Sequence, residues 1–265
     1  MSHPDQIFEQ VEAWDQDAVR NARVLVVGAG ALGNEVLKNL ALLNVGKIAI
    51  LDFDHVEHSN ISRSVLFREE DAKETRFKAH VAAERLLEIN GDLSILTLVG
   101  DVASELSIGL LKQMDVVIGC LDNRLARLYL NRLCWRAGVP WVDGGILNLS
   151  GQIAAYLPQE SCYECTLSEA AWKEIRLRQG CTDMATRYAL QGQAPTTPIA
   201  ASIAGALQVQ EALRIVMGKK GAGLSGKMLN FEGAHNHFGV YDLSPLKPSC
   251  QSHYHYEPIL AAEGL

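Results

Sequence analysis

Arg23-Val-Leu-Val-Val-Gly28-Ala-Gly30-Ala-Leu-Gly33 decides how this chain is read. The apolar run Arg23–Val27 reads as a strand buried on both faces. Gly28, Gly30 and Gly33 follow in G-x-G-x-x-G order, and residues 34–43 continue with helical periodicity. The first glycine permits a tight turn and the second lets backbone N–H groups approach a phosphate. The third lets helix and strand pack closely, so that the helix N-terminus faces an anion. A second strand, Lys47–Leu51, ends in Asp52, nineteen residues after Gly33, where an acid reaches a ribose hydroxyl.

Outward from that unit the pattern repeats. Residues 75–89 read as a helix closed by Asn90-Gly91, and 95–99 as a third strand. A helix over 103–113 leads to a fourth strand, 115–119, ending at Cys120-Leu121-Asp122. A helix over 123–137 closes at Gly138, and 140–143 is a fifth strand. Strands alternating with helices imply right-handed βαβ units and a parallel sheet whose ligands sit at the strands' carboxyl ends. After Gly151 the pattern changes: a strand over 152–157, a Cys162-x-x-Cys165 pair, then a helix-prone run to Arg178. A polar stretch from Gly180-Cys181 follows. Thr197 is an N-cap with Pro198 at the first helical position, and that helix runs on to Val216. Strands over 227–231 and 235–241 then form an antiparallel pair. Before the glycine unit, a short amphipathic helix is expected over 6–14.

Bulk properties narrow the function classes. The chain has 265 residues, 48% of them hydrophobic and 21% charged, as in an ordinary globular protein. A net charge of −7 argues against a general nucleic-acid or anionic-membrane surface. Residues 1–20 are polar and acidic, unlike a signal peptide. The apolar helix near 199–217 carries Gln208, Gln210, Glu211 and Arg214, unlike a membrane span. Six cysteines without a secretory signal point to a reducing compartment, so a cytoplasmic location is expected.

The most specific stretch is Asp52-Phe-Asp54-x-Val56-Glu57-x-Ser59-Asn60-Ile-Ser-Arg63. A dinucleotide-binding dehydrogenase wants one acid here and has no evident use for Asn60 and Arg63 aimed back at phosphates. Lys78 sits in the first turn of the next helix, and Asp122 ends the fourth strand just before Asn123 and Arg127. An arginine and a lysine beside a triphosphate neutralise charge as a phosphoryl group is attacked. A carboxylate such as Asp122 can hold Mg²⁺. Each residue alone reads equally well as a surface charge at the end of an element; the ordered set does not.

From Arg23 to Cys250 the chain resembles the enzymes that activate ubiquitin-like proteins and the bacterial sulfur-carrier adenylyltransferases of the ThiF/MoeB superfamily. The resemblance is carried by GAGALG, DFDxVExSNISR, FKAHVAAERLLEIN, CLDNRLAR, CYEC, the PTTP helix and the late cysteine. It implies a Rossmann-like α/β fold: a mostly parallel sheet with helices on both faces, an antiparallel C-terminal extension and a structural zinc. It also implies one adenylation domain over 1–265, with an N-terminal segment (1–20), a nucleotide-binding half (21–150) and a half carrying the cysteine loop, zinc clip and carrier surface (151–265). Gly28, Gly30, Gly33, Asp52, Asp54, Asn60 and Asn123 would bind ATP, Arg63 and Lys78 would contact its phosphates, and Asp122 would hold Mg²⁺. The implied reaction is attack of a carrier protein's C-terminal glycine carboxylate on the α-phosphate, giving an acyl-adenylate and pyrophosphate.

Cys162-x-x-Cys165 needs partners, and Cys250-x-x-His253 supplies a second close pair, together a Cys₃His set suited to tetrahedral Zn²⁺. Relatives commonly place cysteine last, so His255 competes with His253; a redox CxxC or unrelated thiols is the alternative. The resemblance makes Cys181 the nucleophile that takes the acyl group as a thioester. It follows a glycine in a polar loop and precedes a helix whose N-terminus lowers a thiol pKa. Cys120 and Cys134 read as packing residues. His235 and His237, two apart on one expected strand, read as a solvated edge ahead of a metal pair. Many relatives supply an N-terminal arginine to their partner subunit; here 5–17 is acidic and only Arg20 and Arg23 are near. The expected partners are a ubiquitin-like or sulfur-carrier protein, a conjugating enzyme and a second copy of the chain, with no nucleic acid or membrane. The alternatives are a sulfur-carrier adenylyltransferase for thiamin or molybdopterin biosynthesis, a non-catalytic scaffold, and a nicotinamide dehydrogenase.

Overall fold

Short apolar runs make the five parallel strands: β1 (Arg23–Val27), β2 (Lys47–Leu51), β3 (Ser94–Leu98), β4 (Val116–Gly119) and β5 (Trp141–Leu147). Three more, β6 (Ser150–Tyr156), β7 (Lys227–Glu232) and β8 (His237–Asp242), extend the same sheet antiparallel. The order is β3-β2-β1-β4-β5-β6-β7-β8. Chain order reverses between β1 and β4, which opens a crevice at the carboxyl ends of the strands. The computed structural model describes residues 4–180, 195–218, 223–248 and 250–253. Cys181, His255 and Lys219-Lys220 lie outside the described residues.

The helices are α1 (Gln16–Asn21), α2 (Ala31–Leu42), α3 (His58–Ile61), α4 (Glu69–Lys73), α5 (Lys78–Ile89), α6 (Val102–Glu105), α7 (Ile108–Leu111), α8 (Arg124–Ala137), α9 (Tyr163–Thr166), α10 (Glu169–Gly180) and α11 (Pro198–Val216). Side chains alternate across the sheet, so each central strand feeds two cores. Val24, Val26, Ile48, Ile50 and Ile118 pack under α2, α5 and α11. Leu25, Val27, Leu51, Val117 and Trp141 pack against α8 and α10 on the other face. Leu37 and Leu40 of α2 are fully buried, each contributing about 1.5–3 kcal/mol. Among the described residues, α11 is the one helix long and apolar enough to cross a membrane; half of it is buried in the core. Its Ala200, Ala204 and Gly205 are buried. A Cβ on Gly205 would stand 2.8 Å from Glu35 Cβ, so the small residue sets how closely α11 meets α2.

Several expected elements have different bounds. The helix expected over 6–14 is a 3₁₀ helix, Pro4–Gln10, followed by α1, whose N-cap Asp15 accepts from Ala18 N–H. The helix expected over 103–113 is two. Asp101 caps α6, Leu106 turns extended, and the Ser107 hydroxyl restarts the chain as α7. The helix expected from 75 begins at Lys78, because the chain before it pairs with the loop after β2: Val56 N–H donates to the Arg76 carbonyl and Lys78 N–H to the Asp54 carbonyl. β5 runs four residues further than expected, because antiparallel pairing with β6 continues to a turn at Asn148 (φ 56°). His235 lies in the β7–β8 turn and only His237 is on β8, so the two share no strand face.

Candidate active site

A cleft of about 1120 Å³ opens at the carboxyl ends of β1, β2 and β4. Its wall includes Gly28, Gly30, Asp52, Asp54, Asn60, Arg63, Lys78, Asp122 and Asn123. Of the expected nucleotide-binding set, only Gly33 is not on the wall, and its role is structural. A Cβ there would overlap the Gly28 carbonyl oxygen. Gly28 itself has φ 97°, in the left-handed region. Nothing lies within 4 Å of the place a Gly30 Cβ would take, so that glycine leaves room on the ligand side. Gly30 is the N-cap of α2 and no side chain caps the helix, which suits an anion.

Asp52 is a brace at the cleft wall. Its Oδ2 accepts from Ala29 N–H (2.6 Å) and its Oδ1 from Asp54 N–H (2.7 Å), joining the glycine turn to the loop after β2. Burial pushes its pKa up and nearby Lys78 opposes that. Lys78, buried at the start of α5, donates to Asp54 Oδ2 (2.8 Å), so the cation waits beside a half-exposed carboxylate. Asn60 Oδ1 accepts from Glu57 N–H and caps α3, while Arg63 Nη1 donates to the Ser59 carbonyl (2.9 Å). Asn123 caps α8 through Ala126 N–H, and its Nδ2 donates to Asp122 Oδ1 (3.1 Å). Carboxylates outnumber cations on this wall, which also carries Glu57, Asp101 and Glu174. A triphosphate entering there needs a divalent cation to offset the acids, and exposed Asp122 at the end of β4 is a suitable oxygen donor.

Sequence reasoning left three residues without a role. Asn34 Nδ2 donates to the Ala29 and Gly30 carbonyls, and its Oδ1 accepts from Leu66 N–H, locking the glycine turn to the loop behind it. Arg127 pairs with buried Asp143, Nε to Oδ1 at 3.0 Å. Burial works against the Arg127 charge, but Asp143 together with Tyr163 and Asp122 outweighs it and raises the pKa. Gln208 of α11 is fully buried and donates to the Gly119 and Val142 carbonyls, joining the end of β4 to the start of β5. Asn34 lies in the first turn of α2, four residues after Gly30; the other two depend on elements far apart in sequence.

Behind the sheet, Cys162, Cys165, Cys250 and His253 bring their ligand atoms within 4.8 Å of one another. Sγ–Sγ separations are 3.8 Å (Cys162–Cys165) and 3.7 Å (Cys162–Cys250), and Cys165 Sγ lies 3.8 Å from His253 Nε2. An S–S edge of about 3.8 Å is what a tetrahedron with Zn–S near 2.3 Å requires. The separations are far too long for disulfides, and the residues fit a metal. The Cys162 thiol is drawn down, first by its hydrogen bond with Cys250 and, against the effect of burial, by Asn131. Trp135 covers His253, ring centroids 4.0 Å apart, and Arg132 fixes Glu164 by two bonds. Cys134 is buried in the second core and Cys120 packs beside the first, as expected of packing residues. In the N-terminal segment, Arg20 is held by Asp5, Glu9 and Asp17.

The ThiF family model matches residues 4–252, and the chain belongs to the ThiF family. It is similar to "Adenylyltransferase and sulfurtransferase MOCS3" of Anopheles gambiae, 31% identical over 92% of this chain and 52% of that one. It is also similar to "SAMP-activating enzyme E1" of Haloferax volcanii, 29% identical over 92% of this chain and 86% of that one. The chain spans about half the length of the MOCS3 relatives it matches. Its fold matches the crystal structure of E. coli MccB with ATP, at a TM-score of 0.70, 23% identity, and coverage of 89% and 68%. The expected mostly parallel sheet with antiparallel C-terminal strands is the observed one.

Proposed function

We propose that this chain activates the C-terminal glycine of a ubiquitin-like or sulfur-carrier protein with ATP. The observation that carries the reading is that Arg63 after α3, Lys78 at the start of α5 and Asp122 after β4 line one cleft with the glycine turn. A terminal carboxylate oxygen bonds to the α-phosphorus, the α–β bridging P–O bond breaks, and pyrophosphate leaves with that electron pair. The carboxylate thereby exchanges a poor leaving group for AMP. The uncapped α2 N-terminus and Gly30 receive phosphate oxygens, and Lys78 moves from Asp54 onto them. Asp52 holds the turn rigid and faces the ribose. Asp122, with Asn123 beside it, would hold Mg²⁺, which draws charge off the phosphates when bound.

The acyl group then passes to Cys181: the thiolate bonds to the acyl carbon, the C–O bond to AMP breaks, and a downstream conjugating enzyme's thiol takes the acyl group. A homodimer in the cytoplasm is part of this reading. A second reading, direct use of the adenylate by a sulfur donor, is favoured by the sulfurtransferase half of the MOCS3 name. ATP–pyrophosphate exchange that depends on a diglycine-ended carrier tests the first step. Lys78→Met should lower it by about a hundredfold. No exchange with any such carrier would favour a scaffold instead. A dithiothreitol-sensitive carrier adduct absent from Cys181→Ala tests the second step; an undiminished adduct refutes that nucleophile.

A further inference from the structure

β3 is one edge of the sheet and, among the described residues, pairs with β2 alone. Ser94 N–H donates to the Gly46 carbonyl, and the Leu98 carbonyl accepts from Asp52 N–H. Residues 94, 96 and 98 therefore turn their main-chain groups toward β2, and alternation aims those of Ile95 and Thr97 outward. Sheet edges are usually blunted by a lysine, a proline or a bulge. The strand Ser94-Ile-Leu-Thr-Leu98 carries no charge and no proline, pairs with β2 without a bulge, and leaves Leu96 48% exposed.

A socket lies in phase with those outward groups. Phe77, His80, Ala83, Glu84 and Thr97 line an open depression of about 440 Å³ between α5 and β3. Phe77 is its aromatic wall, packed on His55 (ring centroids 4.1 Å apart) and met edge-on by His80 (5.7 Å). A strand added about 4.8 Å outside β3 would pair residue against residue, and paired side chains share a face of the sheet. Its residue opposite Thr97 enters the socket, and the next one packs against Leu96 on the other face.

Charge decides the occupant. Exposed Asp92 stands before β3, exposed Asp101 and Glu105 stand after it, and Glu84 and Glu88 follow the same edge along α5. Of the cations nearby, Arg76 and Arg85 are each shared between Asp71 and one of those glutamates, and Lys47 lies beside Ser94 on β2. A second copy pairing its own β3 two-fold about Leu96 would set Asp92 next to the copy's Asp101, acid against acid. A segment with cations on both sides of an apolar centre meets opposite charges instead.

We propose that the open edge of β3 and its socket dock an extended segment of another protein, aromatic opposite Thr97 and flanked on both sides by lysine or arginine. Main-chain bonds to Ile95 and Thr97 supply affinity, and the socket supplies specificity. β3 leads into Gly100, Asp101 and Val102 on the cleft wall, so the bound protein stands beside the nucleotide cleft. The site needs neither nucleotide nor carrier and goes beyond the adenylation reading.

The test uses the full chain and a labelled peptide, Lys-Arg-Thr-Val-Phe-Val-Lys-Arg, with binding read by fluorescence anisotropy at low salt. Replacing its Phe by Ala, or its four cations by glutamates, should weaken binding by about tenfold or more. Thr97→Pro removes one outward N–H, a change an edge strand tolerates, and should also weaken binding about tenfold. Leu96→Lys, at an exposed side chain, should do the same and carries the test should Thr97→Pro melt lower. Peptide should slow hydrogen exchange at the Ile95 and Thr97 amides and leave that of Leu96, already turned to β2, unchanged. No binding to the wild type at millimolar peptide overturns the docking site. Full affinity in Leu96→Lys, or unchanged exchange at Ile95 and Thr97, overturns it equally. Carrier-dependent pyrophosphate exchange is read separately and stands or falls without it.

Discussion

Removing the metal expected at the Cys162–Cys165–Cys250–His253 cluster should destabilise the chain by a calculable amount. Ligand atoms 3.7–3.8 Å apart are already at tetrahedral edge lengths, so Zn²⁺ binds the folded state with little rearrangement. A site holding metal at about a thousand times its dissociation constant stabilises the fold by about 4 kcal/mol. For a domain of this size each kcal/mol moves the melting temperature by about 2 °C or more, so chelation should lower it by about 8 °C. The measurement is metal content by mass spectrometry, paired with thermal melts under reducing conditions, with and without chelator. Cys162→Ser and His253→Gln should lose the metal and most of the chelator-sensitive shift. His255→Gln should keep both. Cys134→Ser, buried in the second core, should melt lower yet retain metal. Wild-type protein without stoichiometric metal, or Cys162→Ser with unchanged metal, would refute the argument.

Gly33→Ala should lower the melting temperature by several degrees and weaken ATP binding, because its Cβ meets the Gly28 carbonyl and either α2 or the turn must move, at about 1–3 kcal/mol. Calorimetric titration with ATP giving wild-type affinity would contradict this. Asp5 Oδ2 accepts from Arg20 Nε (2.7 Å), Asn44 (2.8 Å) and Gln16 (3.0 Å). The Arg20 bond, working against burial, holds its carboxyl well below the usual carboxylate range. A depressed folded-state pKa stabilises above the unfolded value of 3.8, and that contribution fades as pH falls below it. Asp5→Asn should therefore be less stable by about 1.5–3 kcal/mol at neutral pH, with the gap closing below pH 3.8. Urea melts showing a constant gap down to pH 3 would sink this account.

Local pattern carried the strand cores and the long helices, because burial on both faces leaves apolar runs that no loop would show. The short helices α3, α4 and α9 have too few residues for a period to register, and they appear only once neighbours satisfy their ends. The start of α5 at Lys78 depends on pairing with the chain at Asp54 and Val56, a contact between loops that neither segment announces alone.

Residue types and order by themselves determined the nucleotide-type βαβ unit, the acid-Asn-Arg string after β2, and the two close pairs Cys162–Cys165 and Cys250–His253. Only the tertiary structure decided what those residues do to one another. Asp52 became a brace and Lys78 the partner of Asp54. Arg127 acquired a buried counter-ion in Asp143, and the thiols of Cys162 and Cys250, 88 positions apart, arrived at tetrahedral spacing. The physical reason is range: a turn or a helix is decided by neighbours along the chain, whereas pairing, burial and coordination depend on groups that meet only after the sheet has closed between its two helical layers.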